Sequence, residues 1–173
     1  MFKDKLEELL IFFDPLSKKD FEGRPFDLDP YSLGKSIDAN YSNDPVKDSD
    51  RFEIAIIGVC DDCENLTAPT YTAALAERRE LYSLKRISVN MRIADLGNLK
   101  TGKSINESIL AFQQAYALLI QMNVQLIILG GEQLFTIGSF KALKEFENDI
   151  NMVVVDSKID YNPINTSVSS TTL

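Results

Sequence analysis

Four apolar runs, each separated from the next by a helix-patterned stretch, constrain this chain more than any other feature of it. Phe52-Glu53-Ile54-Ala55-Ile56-Ile57-Gly58-Val59 is a continuous apolar run, the signature of a strand buried on both faces of a parallel sheet. Thr70 to Leu84 is mostly helix-forming, and a second strand is expected within Ser88 to Leu96. Ser104-Ile105-Asn106-Glu107 is a capping box, and the helix it starts is expected to run to about Met122 with Ile105, Ile109, Phe112, Tyr116, Leu119 and Ile120 on one apolar face. Val124-Gln125-Leu126-Ile127-Ile128-Leu129 reads as a third strand, stopped by Gly130-Gly131 and followed by a helix through about Phe146. Asn151-Met152-Val153-Val154-Val155-Asp156 reads as a fourth strand, and the tail from Asn162 is rich in Ser, Thr and Asn. Alternation of this kind predicts an α/β domain, three layers with a mostly parallel sheet, joined by right-handed crossovers. Ligands of such sheets gather beyond the carboxyl ends of the strands, so the loops after Leu129 and Val155 matter most.

Residues 1–50 are different in kind. Leu6, Leu9, Leu10 and Phe13 suit a short amphipathic helix ending near Asp14-Pro15, and turn signals follow at Asp29-Pro30 and Asn43-Asp44-Pro45. We read this part as an extension of one short helix plus loops, and 51–173 as the α/β domain.

Composition narrows the function. The 173 residues carry a net charge of −8, which gives no general attraction to nucleic acid or to anionic lipid. No apolar run approaches the roughly 20 residues that span a bilayer, and the charged start Met1-Phe2-Lys3-Asp4-Lys5 is unlike a signal peptide, so a cytoplasmic protein is expected. The chain has no histidine, which removes imidazole as general base, nucleophile partner and metal ligand together. Its two cysteines, Cys60 and Cys63, are spaced C-x-x-C, but a zinc site needs two more soft or imidazole ligands than the chain has. Asp61 and Asp62 between them disfavour the thiolate that redox work needs, so two reduced thiols after a strand are expected.

Two strand-end motifs carry the functional signal. The first is Leu129-Gly130-Gly131-Glu132-Gln133-Leu134-Phe135-Thr136-Ile137-Gly138, and the second is Val155-Asp156-Ser157-Lys158-Ile159-Asp160. Together with Ile93-Ala94-Asp95-Leu96-Gly97-Asn98, and with Ala68-Pro69 followed by Arg78-Arg79-Glu80-Leu81, they resemble the arginase, agmatinase and formimidoylglutamase family of ureohydrolases over about residues 52–162. In that family the first loop reads Gly-Gly-Asp-His or Gly-Gly-Gly-His and the second Asp-Ala-His-x-Asp. The resemblance implies an arginase-like fold and a two-manganese site whose bridging hydroxide attacks a guanidinium or formimidoyl carbon. Here the histidine positions hold Gln133 and Lys158, while the aspartates survive as Asp156 and Asp160. An ammonium at 158 stands roughly where a cation would and can pair with both carboxylates. The expectation is therefore a ureohydrolase-like protein without catalysis, with Asp156 and Asp160 metal-free and no cofactor, or manganese if any. Its role is then to bind an unidentified small molecule or protein partner, with homo-oligomers as the family implies. The alternative is a metal-dependent hydrolase of C–N bonds in amidine or guanidine substrates.

The resemblance also implies later strands and a later Asp-x-Asp pair beyond residue 173, so the domain is expected to be truncated in its C-terminal half. In the family those strands insert between the third and fourth. Either the fourth strand here pairs directly with the third, or apolar edges stay exposed.

A second motif competes. Gly97-Asn98-Leu99-Lys100-Thr101-Gly102-Lys103-Ser104 matches the nucleotide-binding P-loop pattern and opens a capped helix. Bulky residues inside the loop and Asp95 just before it favour instead a polar loop with Ser104 as N-cap.

Overall fold

The computed structural model describes residues 2–21, 28–47, 51–59, 72–86, 90–131, 134–147 and 149–155. The chain opens with helix α1, Phe2–Leu10, whose Leu6 and Leu9 are buried. Strand β1, Phe13–Asp14, and strand β2, Ile37–Ala39, follow, with 3-10 turns at Lys18–Phe21 and Leu33–Ser36. The α/β alternation then runs as strand β3 (Ile54–Val59), helix α2 (Thr72–Ser83), strand β4 (Ile93–Leu99), helix α3 (Ile105–Gln121), strand β5 (Gln125–Gly130) and helix α4 (Leu134–Lys144).

The sheet order is β1-β4-β3-β5, with β2 also paired to β4. β3 lies parallel to both β4 and β5. Its alternate residues sort the layers. Ala55, Ile57 and Val59 enter a core cluster with Leu6 and Leu9 of α1, Phe112, Ala115 and Leu119 of α3 and Phe135 of α4. Gly58 points the other way, where a Cβ would meet Arg78 of α2. Helices thus cover both faces, and the expected three-layer α/β architecture is present. No helix among the described residues is long and apolar enough to cross a membrane.

Ser104 caps α3 as expected, but the reciprocal bond falls one residue before the N-cap. Ser104 is the N-cap of α3 and its hydroxyl accepts from the Glu107 N–H at 3.3 Å. In return, the Glu107 carboxylate reaches back to the Lys103 N–H at 2.7 Å.

Three expectations are corrected. First, the N-terminal part is more than a helix and loops: β1 pairs antiparallel with the end of β4 and β2 pairs parallel with its start. Both strands are too short for periodicity to reveal; tertiary pairing forms them. Second, β4 spans Ile93–Leu99, later than the expected 88–96. It runs through a bulge that leaves Leu96 without a partner on β3 and holds Gly97 at φ 99°, which glycine adopts freely. Third, Asn151–Val155 forms no strand, and Val153 and Val155 are 88% and 95% exposed. The run does not pair with β5, so of the two outcomes foreseen for this part of the sheet, the exposed apolar edge is the one observed.

Candidate functional site

β3 and β5 end side by side, with Val59 in register with Gly130. Beyond them the chain turns sharply, with φ at 72° for Gly130 and 91° for Gly131. A Cβ on Gly131 would stand 3.1 Å from the Val59 side chain, so glycine there satisfies both the left-handed backbone and the close approach. This turn delivers the chain to α4 at Leu134, and Gln133 falls immediately before that helix. Gln133 itself lies outside the described residues, as do Asp156, Lys158, Asp160, Cys60 and Cys63. The described residues include the glycine turn of the first motif and the exposed stretch that leads into the second.

The structure brings together a buried polar cluster that sequence reasoning left unassigned. Arg78 and Asp95 are 1% and 0% exposed. Arg78 Nε donates to Asp95 at 2.8 Å, Nη1 to the Asn98 side chain at 2.6 Å and Nη2 to the Gly97 carbonyl at 2.7 Å. Asp95 also accepts from the Tyr82 hydroxyl at 2.9 Å and from the Gly97 N–H at 3.0 Å. Burial pushes the Asp95 carboxyl up from its ordinary value, while the Arg78 guanidinium and these hydrogen bonds pull it back. Burial and the neighbouring carboxylate push the Tyr82 phenol far up. Every nitrogen of the guanidinium makes at least one hydrogen bond, so the cluster ties α2 to the bulge of β4. A signal was available: one aspartate in the middle of an apolar strand and one arginine on a helix that must pack against it, because buried charges come in pairs.

The nucleotide-binding reading of 97–104 is corrected by the same geometry. Gly97 lies within β4, its carbonyl taken by Arg78, and a Cβ there would strike the Asp14 carbonyl. The N–H groups that would have to face a phosphate are occupied: Gly102 donates to Ser108 Oγ at 2.9 Å and Lys103 to the Glu107 carboxylate. The Lys103 N–H that a phosphate would need already donates to the Glu107 carboxylate.

A scan of family models decides the ancestry of this arrangement: the model described as the arginase family matches residues 52–172. The chain belongs to the arginase family. The match covers both strand-end motifs and the Arg78–Asp95 cluster, and it begins where the N-terminal extension stops. Neither a search of curated proteins nor one of solved structures finds a match. Among the described residues of this arginase-family chain, no group of three or more His, Cys, Asp or Glu side chains is placed to hold a metal ion.

Proposed function

We propose that this arginase-family chain does not hydrolyse carbon–nitrogen bonds and serves as a binding or structural protein. One observation carries the reading: Gln133 and Lys158 stand where the family motifs have histidine, in a chain without any histidine. The donor set at the motif positions is an amide, an ammonium and two carboxylates. That set does not fit a manganese pair, which is served by imidazole and carboxylate together. Lys158 is two positions from Asp156 and two from Asp160 in the sequence, and we propose that it pairs with both carboxylates. Its ammonium then supplies the counter-charge that two neighbouring carboxylates need and repels an incoming divalent cation.

Retention of both aspartates favours a second reading, a hydrolase working on an amidine or guanidine substrate through a single metal. The two readings separate in one assay. The chain is incubated with MnCl2 and arginine, agmatine or formimidoylglutamate, and release of urea or formamide is followed with and without EDTA. The expected result is no turnover. EDTA-sensitive turnover of any of the three overturns the proposal and installs the second reading. Under the first, the partner is a small molecule or a protein, in the cytoplasm, with no role for nucleic acid or membrane.

A further inference from the structure

At the opposite end of the sheet from the glycine turn, a small basic cavity lies where the parallel strands begin. Phe52 and Glu53 precede β3, Arg92 precedes β4, and Gln121 and Met122 finish α3 just before β5; with Phe2, Lys5 and Arg51 they line a cavity of about 310 Å³. Among the described residues its lining holds three cations, Lys5, Arg51 and Arg92, against one carboxylate, Glu53, a local balance of +2 in a chain of net charge −8. Like charges gathered this closely repel unless an anion joins them.

The three cations differ in what occupies them. Lys5 Nζ donates to Gln121 Oε1 at 3.1 Å, at the carboxyl end of α3, whose own last turn has no basic residue. It therefore complements the negative end of that helix. The Arg51 guanidinium lies 5.5 Å from the centre of the Phe2 ring, and Phe2 packs edge-on against Phe52 with centroids 5.6 Å apart. Arg92 uses its backbone N–H toward Glu53 at 3.4 Å, and its guanidinium has no partner among the described residues. Two guanidinium forks are thus left open above an apolar floor of Phe2, Phe52 and Met122.

We infer that this cavity binds a small organic phosphate monoester. A guanidinium fork matches phosphate oxygens in a bidentate way, and a dianion matches the local balance of +2. The apolar body of the ester lies on the aromatic floor, and the volume is at the lower end of small-molecule sites, roughly 300–1,000 Å³. This site stands independently of the reading given for the strand-end motifs, because the two lie at opposite ends of the sheet.

The test is a titration of the full chain with phenyl phosphate at constant ionic strength, followed by the backbone amide resonances of Glu53, Arg92 and Met122. Saturable shifts are expected, with a Kd on the order of 1 mM, the scale of a few exposed charge-assisted contacts. Inorganic phosphate, which lacks the ring, is expected to bind more weakly, and benzyl alcohol, which lacks the charge, to leave the spectrum unchanged. Arg51→Gln with Arg92→Gln is expected to weaken phenyl phosphate by about tenfold. The single Arg92→Gln variant, at an exposed position, is expected to weaken it by about threefold and keeps the test available if the double variant is altered in fold. Shifts that stay linear in concentration, equal affinity in the arginine variants, or the same loss in a distant Lys141→Gln control would overturn the inference.

Discussion

Along the outer edge of β4 the short strands β1 and β2 lie end to end, while along the outer edge of β5 no strand pairs among the described residues. The two flanks differ in their side chains as they do in their backbones. On the β4 side, Phe13 and Leu16 are buried and even charged residues, Arg78 and Asp95, are fully enclosed and matched. On the β5 side, Ile127 is partly exposed and Met152 to Val155 stand in solvent without a ladder. The residues before the family match complete the first flank, so that edge is protected from pairing with other chains. The second flank ends in the glycine turn of the first motif and is the one these residues leave open.

The sharpest way to break this comparison is to strike the closed side at its charges. Asp95→Leu leaves the Arg78 guanidinium buried without its carboxylate, and a loss of about 3–5 kcal/mol is expected by urea unfolding. Gly97→Ala attacks the seam between extension and sheet, since the new Cβ meets the Asp14 carbonyl and the backbone sits at φ 99°. A loss of about 1–3 kcal/mol is expected from the backbone strain alone, with release of residues 13–14 visible as faster amide exchange.

The same cluster should respond to alkali. The Tyr82 phenol has its pKa raised in the folded state, by burial first and by Asp95 second. A raised folded value means that the stability it contributes is complete below the unfolded tyrosine value, about 10, and is lost as pH rises above it. The chain is therefore expected to lose stability above about pH 10, and Tyr82→Phe to reduce that slope. The variant gives up the hydrogen bond to Asp95, so a loss of about 1.5–3 kcal/mol at neutral pH is expected alongside. An unchanged alkaline slope in Tyr82→Phe would contradict the assignment.

On the open side the expected effects are the smallest. Val153→Lys and Val155→Lys replace exposed side chains and should change stability by less than about 0.5 kcal/mol. A loss of several kcal/mol would mean that the run is docked in solution and that the two flanks are alike.

Much of the fold was legible in the sequence. Ile54–Val59 and Gln125–Gly130 read as buried strands because apolar side chains serve both faces, and α3 announced its start through Ser104 and Glu107. The extension was less legible because β1 is only two residues long and exists by pairing with Leu99 and Asn98, partners more than eighty positions away. Val153 to Val155 show the converse: strong β propensity forms no strand without a neighbour to pair with. Of the candidate site, the glycine turn was legible from Gly130-Gly131, and the family from the order of four segments. The Arg78–Asp95 pair was visible as two separate motifs, and nothing in their local sequence joins a helix residue to a strand residue seventeen positions on.

The most direct test of the account is manganese binding by the metal-stripped chain. Thermal unfolding is followed with and without Mn²⁺, since a cation held only by the folded state must raise the midpoint. No shift is expected if the Lys158 ammonium, as proposed, supplies the counter-charge for Asp156 and Asp160, and Lys158→Ala is then expected to create a Mn²⁺-dependent rise. A rise in the unmodified chain that Asp156→Asn abolishes would show that the aspartates still hold the metal, and would contradict the claim that this arginase-family member has left metal chemistry behind.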